Sequence, residues 1–253
     1  MPLHTSAVQQ VSLIPVLSDN YVFVLHGDPG GAAAVVDPAV ADPVIAWLEA
    51  RDLHLAAILH THHHHDHIGG TPALLQRWPA AAVIASAADR ARIPFQTQGV
   101  AGGDRFTLLG REVQVLAVPG HTAHHIAYYL PAVAGRDELF CGDTLFAGGC
   151  GRLFEGTPTE MHRSLQQLAA LPETTRVWCA HEYTEANLRW AAAVEPGLKA
   201  VVERLAQVQQ QRAAGQPTIP SSIGLEKATN LFLQAANADQ LRQRRGSKDL
   251  WRG

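Results

Sequence analysis

Residues 61–70 read THHHHDHIGG, which places five histidines and an aspartate in one short stretch. Imidazole nitrogen and carboxylate oxygen are donors that zinc, iron and manganese accept, so metal binding is the first chemistry to weigh. In extended backbone alternate side chains share a side, so one nucleus could be gripped by His62 with His64, or equally by His63 with His65. Three later segments carry the same donor types: VPGHTAHH supplies His121, CGDTLF supplies Asp143 and CAHEYT supplies His181. One histidine alone is more often a satisfied core or surface residue, and one aspartate after glycine is more often a turn. Four such segments, each after a strand-like run, together point to a metal site. A histidine run can also be a surface loop or a tag, but this one is internal and follows the strand-like AAILH.

The elements that must position these donors form a mixed α/β region from residue 8 to about residue 180. Short runs rich in β-branched, leucine and aromatic residues predict strands at VSLIPVL, YVFVLH, AAVVD, AAILH, AVIAS, RFTLL, EVQVLAV, HIAYYL, ELFCGD and RVWCA. That many strands implies more than one sheet. Between them, Asp42 is placed to cap a helix opening at Pro43, with Val44, Ile45, Trp47 and Leu48 as its apolar stripe. Thr157 and Glu160 have capping-box spacing around Pro158, predicting a second helix. After about residue 182 the strand patterns stop, and a stretch rich in Ala, Gln and charge carries helical periodicity. The chain therefore reads as an α/β domain, residues 1–181, followed by a smaller α-helical domain, residues 182–253, with no repeats and no low-complexity linker.

Composition excludes several function classes. A chain of 253 residues with 47% hydrophobic and 17% charged residues has ordinary globular usage and enough length for a sizeable core. Its formal net charge of -3 gives no general attraction to nucleic acid. Cys141, Cys150 and Cys179 make no CxxC and are odd in number, which reads as buried thiols in a reducing cytoplasm rather than a disulfide framework. The opening MPLHTSAVQQ has no basic region followed by an apolar run, and no stretch approaches the ~18 apolar residues of a membrane span, so neither secretion nor insertion is expected.

THHHHDH, PGHT, GDTLF and HEYT, in this order, resemble the metallo-β-lactamase superfamily. The resemblance covers the α/β region and implies an αββα sandwich with a two-metal site at the loops between its sheets. Family spacing also resolves the histidine run, because H-x-H-x-D-H is completed only when counted from His62 and His64. The resemblance then assigns His62, His64 and His121 to one metal, Asp66, His67 and His181 to a second, and Asp143 to a bridge between them. Chemistry supports two ions independently, since seven donors exceed what one tetrahedral zinc can use. Two ions roughly 3.5–4 Å apart can share a water, lower its pKa towards ~7 and polarise a carbonyl. Zn2+ is the expected metal, with iron or manganese compatible with the same donors.

The segments GDTLFAGGCGRLFEGTP and AHEYTEANL, with the tail ending in RGSKDLW, are similar to the glyoxalase II branch, the hydroxyacylglutathione hydrolases. That resemblance implies hydrolysis of S-D-lactoylglutathione and related thioesters to a hydroxy acid and glutathione, as in methylglyoxal detoxification. It places Arg152, Tyr183, Arg245 and Lys248 on the glutathione-binding positions. Cationic side chains and a phenol suit the two carboxylates of glutathione. Asp66 and Asp143 then act in catalysis through a hydroxide held by the metals. The thiolate is a good leaving group, so no separate acid is assigned. Two residues depart from the pattern: Phe154 stands where many relatives have tyrosine, and His124 where they often have glycine.

Other branches of the fold remain as competing expectations: a one-iron persulfide dioxygenase, a lactonase or a β-lactamase. The first would leave several donors unused and would lack the helical tail. A non-catalytic metal-binding or scaffolding protein is the alternative from a different class, since fold and metal do not by themselves imply turnover. The partner expected is a small-molecule thioester, without nucleic acid, membrane or an obligatory protein.

Overall fold

The computed structural model describes residues 10–132 and 136–252, so most of the segment read as lacking a leader lies outside the described residues. Contacts divide the chain into two compact units, Met1–Ala117 with Ile126–Gly135, and Val118–His125 with Arg136–Gly253.

The first unit contains a six-stranded sheet in sequential order: β1 (Gln10–Val16), β2 (Asn20–His26), β3 (Ala32–Val36), β4 (His54–Leu59), β5 (Ala82–Ser86) and β6 (Gln98–Val100). The first three pair antiparallel and the rest parallel. β2 is buried at every residue, which explains why NYVFVLH reads as an almost continuous apolar run rather than an alternating one. Helix α1 (Asp42–Glu49) packs Val44 and Leu48 into a core with Val22, Val24, Val35 and Ile58. Its start corrects the sequence expectation: Ala41 takes the cap position without a side-chain bond, and Asp42 lies inside the first turn. An acid there is favoured by the helix dipole, so the residue type suited either position. α2 (His65–Ile68) and α3 (Thr71–Arg77) follow the histidine run. β7 (Arg105–Leu108), β8 (Arg111–Ala117) and β9 (Ile126–Leu130) make an antiparallel meander. From β9, the buried Tyr128 hydroxyl donates to the carbonyls of His60 and Ile84, both at 3.0 Å, and the Ile126 amide donates to Thr61. The start of the histidine loop is thereby pinned from both sides.

In the second unit β10 (Glu138–Gly142) leads through a hairpin, β11 (Leu145–Phe146) and β12 (Gly149–Cys150), into α4 (Pro158–Ala169) and then β13 (Arg176–Cys179), parallel to β10. The capping box is present: the Glu160 amide donates to the Thr157 hydroxyl at 3.2 Å, and the Thr157 amide to the Glu160 carboxylate at 2.8 Å. The long helical stretch is broken at Glu195-Pro196-Gly197 into α5 (Thr184–Val194) and α6 (Lys199–Ala213). One strand does lie in the tail, contrary to expectation: β14 (Ser221–Ser222) pairs antiparallel with β13. Two residues carry no periodicity from which a strand could be read. α7 (Ile223–Thr229) and α8 (Ala238–Leu250) complete the unit, and Trp190 of α5 stacks on Phe232 at 4.9 Å. Cys141, Cys150 and Cys179 are all buried thiols.

Candidate metal centre

In the first unit the chain leaves β4 at Leu59, bends at Thr61 and His62, and enters α2 after His64, whose backbone is extended. His62 and His67 are fully buried, His64 and Asp66 partly so. His62 Nε2 and His64 Nδ1 stand 3.0 Å apart, two imidazole nitrogens aimed at one point. His67 Nε2 lies 3.7 Å from Asp66 Oδ2. The spacer residues go elsewhere. His63 sits with its nitrogens 3.5 Å from Asp89 and 3.3 Å from Arg92, while His65 is exposed.

Two residues outside the motif hold these donors, and sequence reasoning did not single them out. Asp37, at the end of β3, accepts from the Thr61 amide at 2.8 Å, from the Thr61 hydroxyl at 2.6 Å and from His67 Nδ1 at 3.0 Å. Its carboxylate lies close enough to His62 and His67 to be a ligand itself. Both of its oxygens are already engaged, by Thr61 and by His67 Nδ1, so its carboxylate orients the His67 imidazole through Nδ1. Burial works against its ionisation, but the His67 and His60 imidazoles outweigh this and hold the carboxyl well below the usual carboxylate range. Asp37 also takes a left-handed φ of 51°, a conformation that aspartate tolerates better than most residues. The second residue is Asn20, whose amide donates to the Asp66 side chain at 3.1 Å and to its carbonyl at 3.2 Å.

In the second unit Asp143 follows β10 and lies between two histidines. Its Oδ2 is 3.4 Å from His121 Nε2 and its Oδ1 is 3.4 Å from His181 Nε2. Each carboxylate oxygen thus faces a different imidazole. His121 is oriented through its other nitrogen, Nδ1, 2.9 Å from the Arg152 carbonyl. The Asp143 amide donates to buried His125 at 3.2 Å. Gly151 is required by close approach: a Cβ there would stand 1.9 Å from the Asp143 carbonyl oxygen and 3.0 Å from His121 Nδ1. His181 lies nearly parallel to the Tyr183 ring at 4.8 Å. Phe154 is 62% exposed and meets the His121 ring edge-on at 5.2 Å, and His124 is exposed.

The remaining sequence candidates also lie in this unit. Arg152 is exposed, whereas Arg245 is buried and bonded to Asp249 and to the Cys150 carbonyl. Lys248 donates to the Ala186 carbonyl at 2.7 Å and packs on Trp251. Burial, and next Arg245 beside it, lower its pKa to about 8 against an opposing effect of Asp249.

Buried imidazoles and carboxylates, oriented by bonds that spare the inward-facing atoms, fit a borderline divalent metal. Residues 15–181 match the family described as the metallo-beta-lactamase superfamily, and residues 182–251 match the hydroxyacylglutathione hydrolase C-terminus. A protein of Synechococcus sp. (strain CC9605) named hydroxyacylglutathione hydrolase is 60% identical over 94% of this chain and 96% of its own. One of the same name from Cyanothece sp. (strain PCC 7425 / ATCC 29141) is 56% identical over 89% and 88%. Among solved structures, ETHE1 from Myxococcus xanthus aligns with a TM-score of 0.69 and 25% identity over 96% of this chain and 93% of that one. TTHA1623, solved in a di-iron-bound form, aligns at 0.61 with 24% identity over 88% of this chain and 100% of that one.

Proposed function

The chain belongs to the hydroxyacylglutathione hydrolase family on the metallo-β-lactamase fold, and from that premise we propose that it hydrolyses S-D-lactoylglutathione and related thioesters to a hydroxy acid and glutathione. The observation that carries the reading is Asp143, whose two oxygens each face a different buried imidazole at 3.4 Å. In this reading His62, His64 and His121 hold one divalent ion, Asp66, His67 and His181 a second, and Asp143 both. Zn2+ is the expected occupant, and iron or manganese suits the same nitrogen and oxygen donors. When bound, the ions supply a hydroxide nucleophile at neutral pH and positive charge toward the carbonyl oxygen under attack.

The protein's own residues do the rest. Asp37 and Asn20 keep His67 and Asp66 in position, and the Arg152 carbonyl fixes the His121 ring. Arg152, Tyr183, Arg245 and Lys248 bind the glutathione part, residues 1–181 forming the catalytic domain and residues 182–253 the glutathione-binding one. Where tyrosine is common among relatives, Phe154 supplies apolar contact but no hydroxyl. Three buried thiols suit a reducing cytoplasm, where this chemistry would remove methylglyoxal-derived thioester. No helix among the described residues is long and apolar enough to cross a membrane.

The test is thiol release from S-D-lactoylglutathione by protein purified without chelators, before and after metal stripping. Release that disappears on stripping and returns with zinc or iron supports the reading. Metal-replete, folded protein that releases no thiol refutes it.

A further inference from the structure

A cavity of about 550 Å3 opens between residues 152–154 and α8, and its lining includes Arg152, Phe154, Arg242, Arg245, Asp249 and Arg252. Four guanidinium groups share it with one carboxylate. That carboxylate is central: Asp249 Oδ1 accepts from Arg245 Nε at 3.2 Å and Nη2 at 2.9 Å, and lies 3.7 Å from Arg152 Nε. The Asp249 carbonyl accepts from Arg252 Nη1 at 3.3 Å, so one residue gathers three of the four arginines. Arg245 is tied at its far side as well, where Nη1 donates to the Cys150 carbonyl at 2.8 Å.

Helix stability does not account for this placement. Asp249 lies in the last turn of α8, where the helix dipole disfavours an acid, and the cation precedes the anion, the weaker order for an i,i+4 pair. The residue is explained by what it holds. We infer that Asp249 is a positioning residue for recognition of the glutathione carboxylates, an inference that rests on the function proposed above. Its carboxylate fixes Arg245 and lies beside the exposed Arg152, so that both guanidinium groups are held at the cavity they line. Removing Asp249 has two opposed effects. The cavity becomes more cationic, which favours any anion but is weakened by salt at this half-exposed site. The guanidinium groups also lose their orientation, which weakens directional pairing with a carboxylate. The second effect dominates in this proposal.

The experiment compares wild-type, Asp249→Asn and Asp249→Glu proteins, each metal-replete and checked for fold by circular dichroism. S-hexylglutathione binding is measured by calorimetry, and thioester hydrolysis is measured with S-D-lactoylglutathione and with a thioester lacking the glutathione carboxylates. The expected result for Asp249→Asn is roughly tenfold weaker binding and a parallel rise in KM, with kcat nearly unchanged, as for loss of uniform binding. Asp249→Glu should recover part of the affinity, and the carboxylate-free thioester should show no difference. Unchanged or tighter binding by Asp249→Asn, or an equal loss on the carboxylate-free substrate, overturns the inference while leaving the hydrolase reading intact. Wild-type protein that binds no S-hexylglutathione and hydrolyses no glutathione thioester overturns both.

Discussion

Asp37 shows what a single residue contributes behind the donors. One carboxylate accepts from the backbone and hydroxyl of Thr61 and from His67, thereby fixing both the start of the histidine loop and the orientation of the His67 ring, a proposed ligand. Asp37→Ala should weaken metal binding about 10–100-fold, as losses of such orienting partners do, read by competition with a chromophoric chelator. Retention of wild-type affinity would show that Thr61 and His67 hold their places unaided. Lys248 gives a pH prediction. Its pKa of about 8 comes from burial and then Arg245, so the charged form that pairs with a carboxylate is present below that pH and lost above it. KM for the thioester should rise between pH 7 and 9 while kcat stays level, and Lys248→Arg should abolish the rise. The donors were legible because their residue types and spacing carry the chemistry themselves. Asp37 was not, because AAVVD reads as the end of a strand, and only the fold carries its carboxylate to Thr61 and His67, twenty-four and thirty positions away.

At the scale of elements, the hairpin β11–β12 lies between Asp143 and Arg152 and is held largely by buried polar groups from the helical tail. Glu226 accepts from the Gly148 amide at 2.8 Å and from Asn230 at 2.9 Å, and Asn230 donates onward to the Phe146 and Gly149 carbonyls. Arg204, itself buried, pairs with Glu226 at 2.6 Å and bonds Ser221 and Thr229. Glu226→Ala leaves that guanidinium buried without its counter-charge and should cost roughly 3–5 kcal/mol, measured as a shift in the urea midpoint at constant slope. A shift of a few tenths of that size would mean water replaces the carboxylate. The sequence revealed the long strands through their apolar runs and α4 through Thr157, Pro158 and Glu160. It did not reveal β6, β11, β12 or β14, each of two or three residues and too short to show a period. Nor did it separate an acid that caps α1 from one inside its first turn, since both positions favour the same residue type.

For the whole molecule, the composition changes near residue 182, and the two matched family segments meet there, at 181 and 182. Compactness divides the chain differently, grouping Val118–His125 and Arg136–Gly253. Composition reports which kind of element a segment forms, whereas compactness reports what that element packs against, and the two need not change at the same residue. Within the second unit the tail supplies β14 to the edge of β13 and Glu226 and Asn230 to the hairpin after Asp143. The proposed domain of residues 1–181 therefore ends in the middle of a packed unit. Expressed alone, it should lose cooperative unfolding and bind less metal than the full chain, because Asp143 and His181 lose the scaffold that sets them. Metal content after gel filtration, read beside a thermal melt, decides this. A 1–181 fragment that retains full metal and a sharp melt would show that the donors are positioned without the tail, leaving the helices to serve only the glutathione side of the substrate.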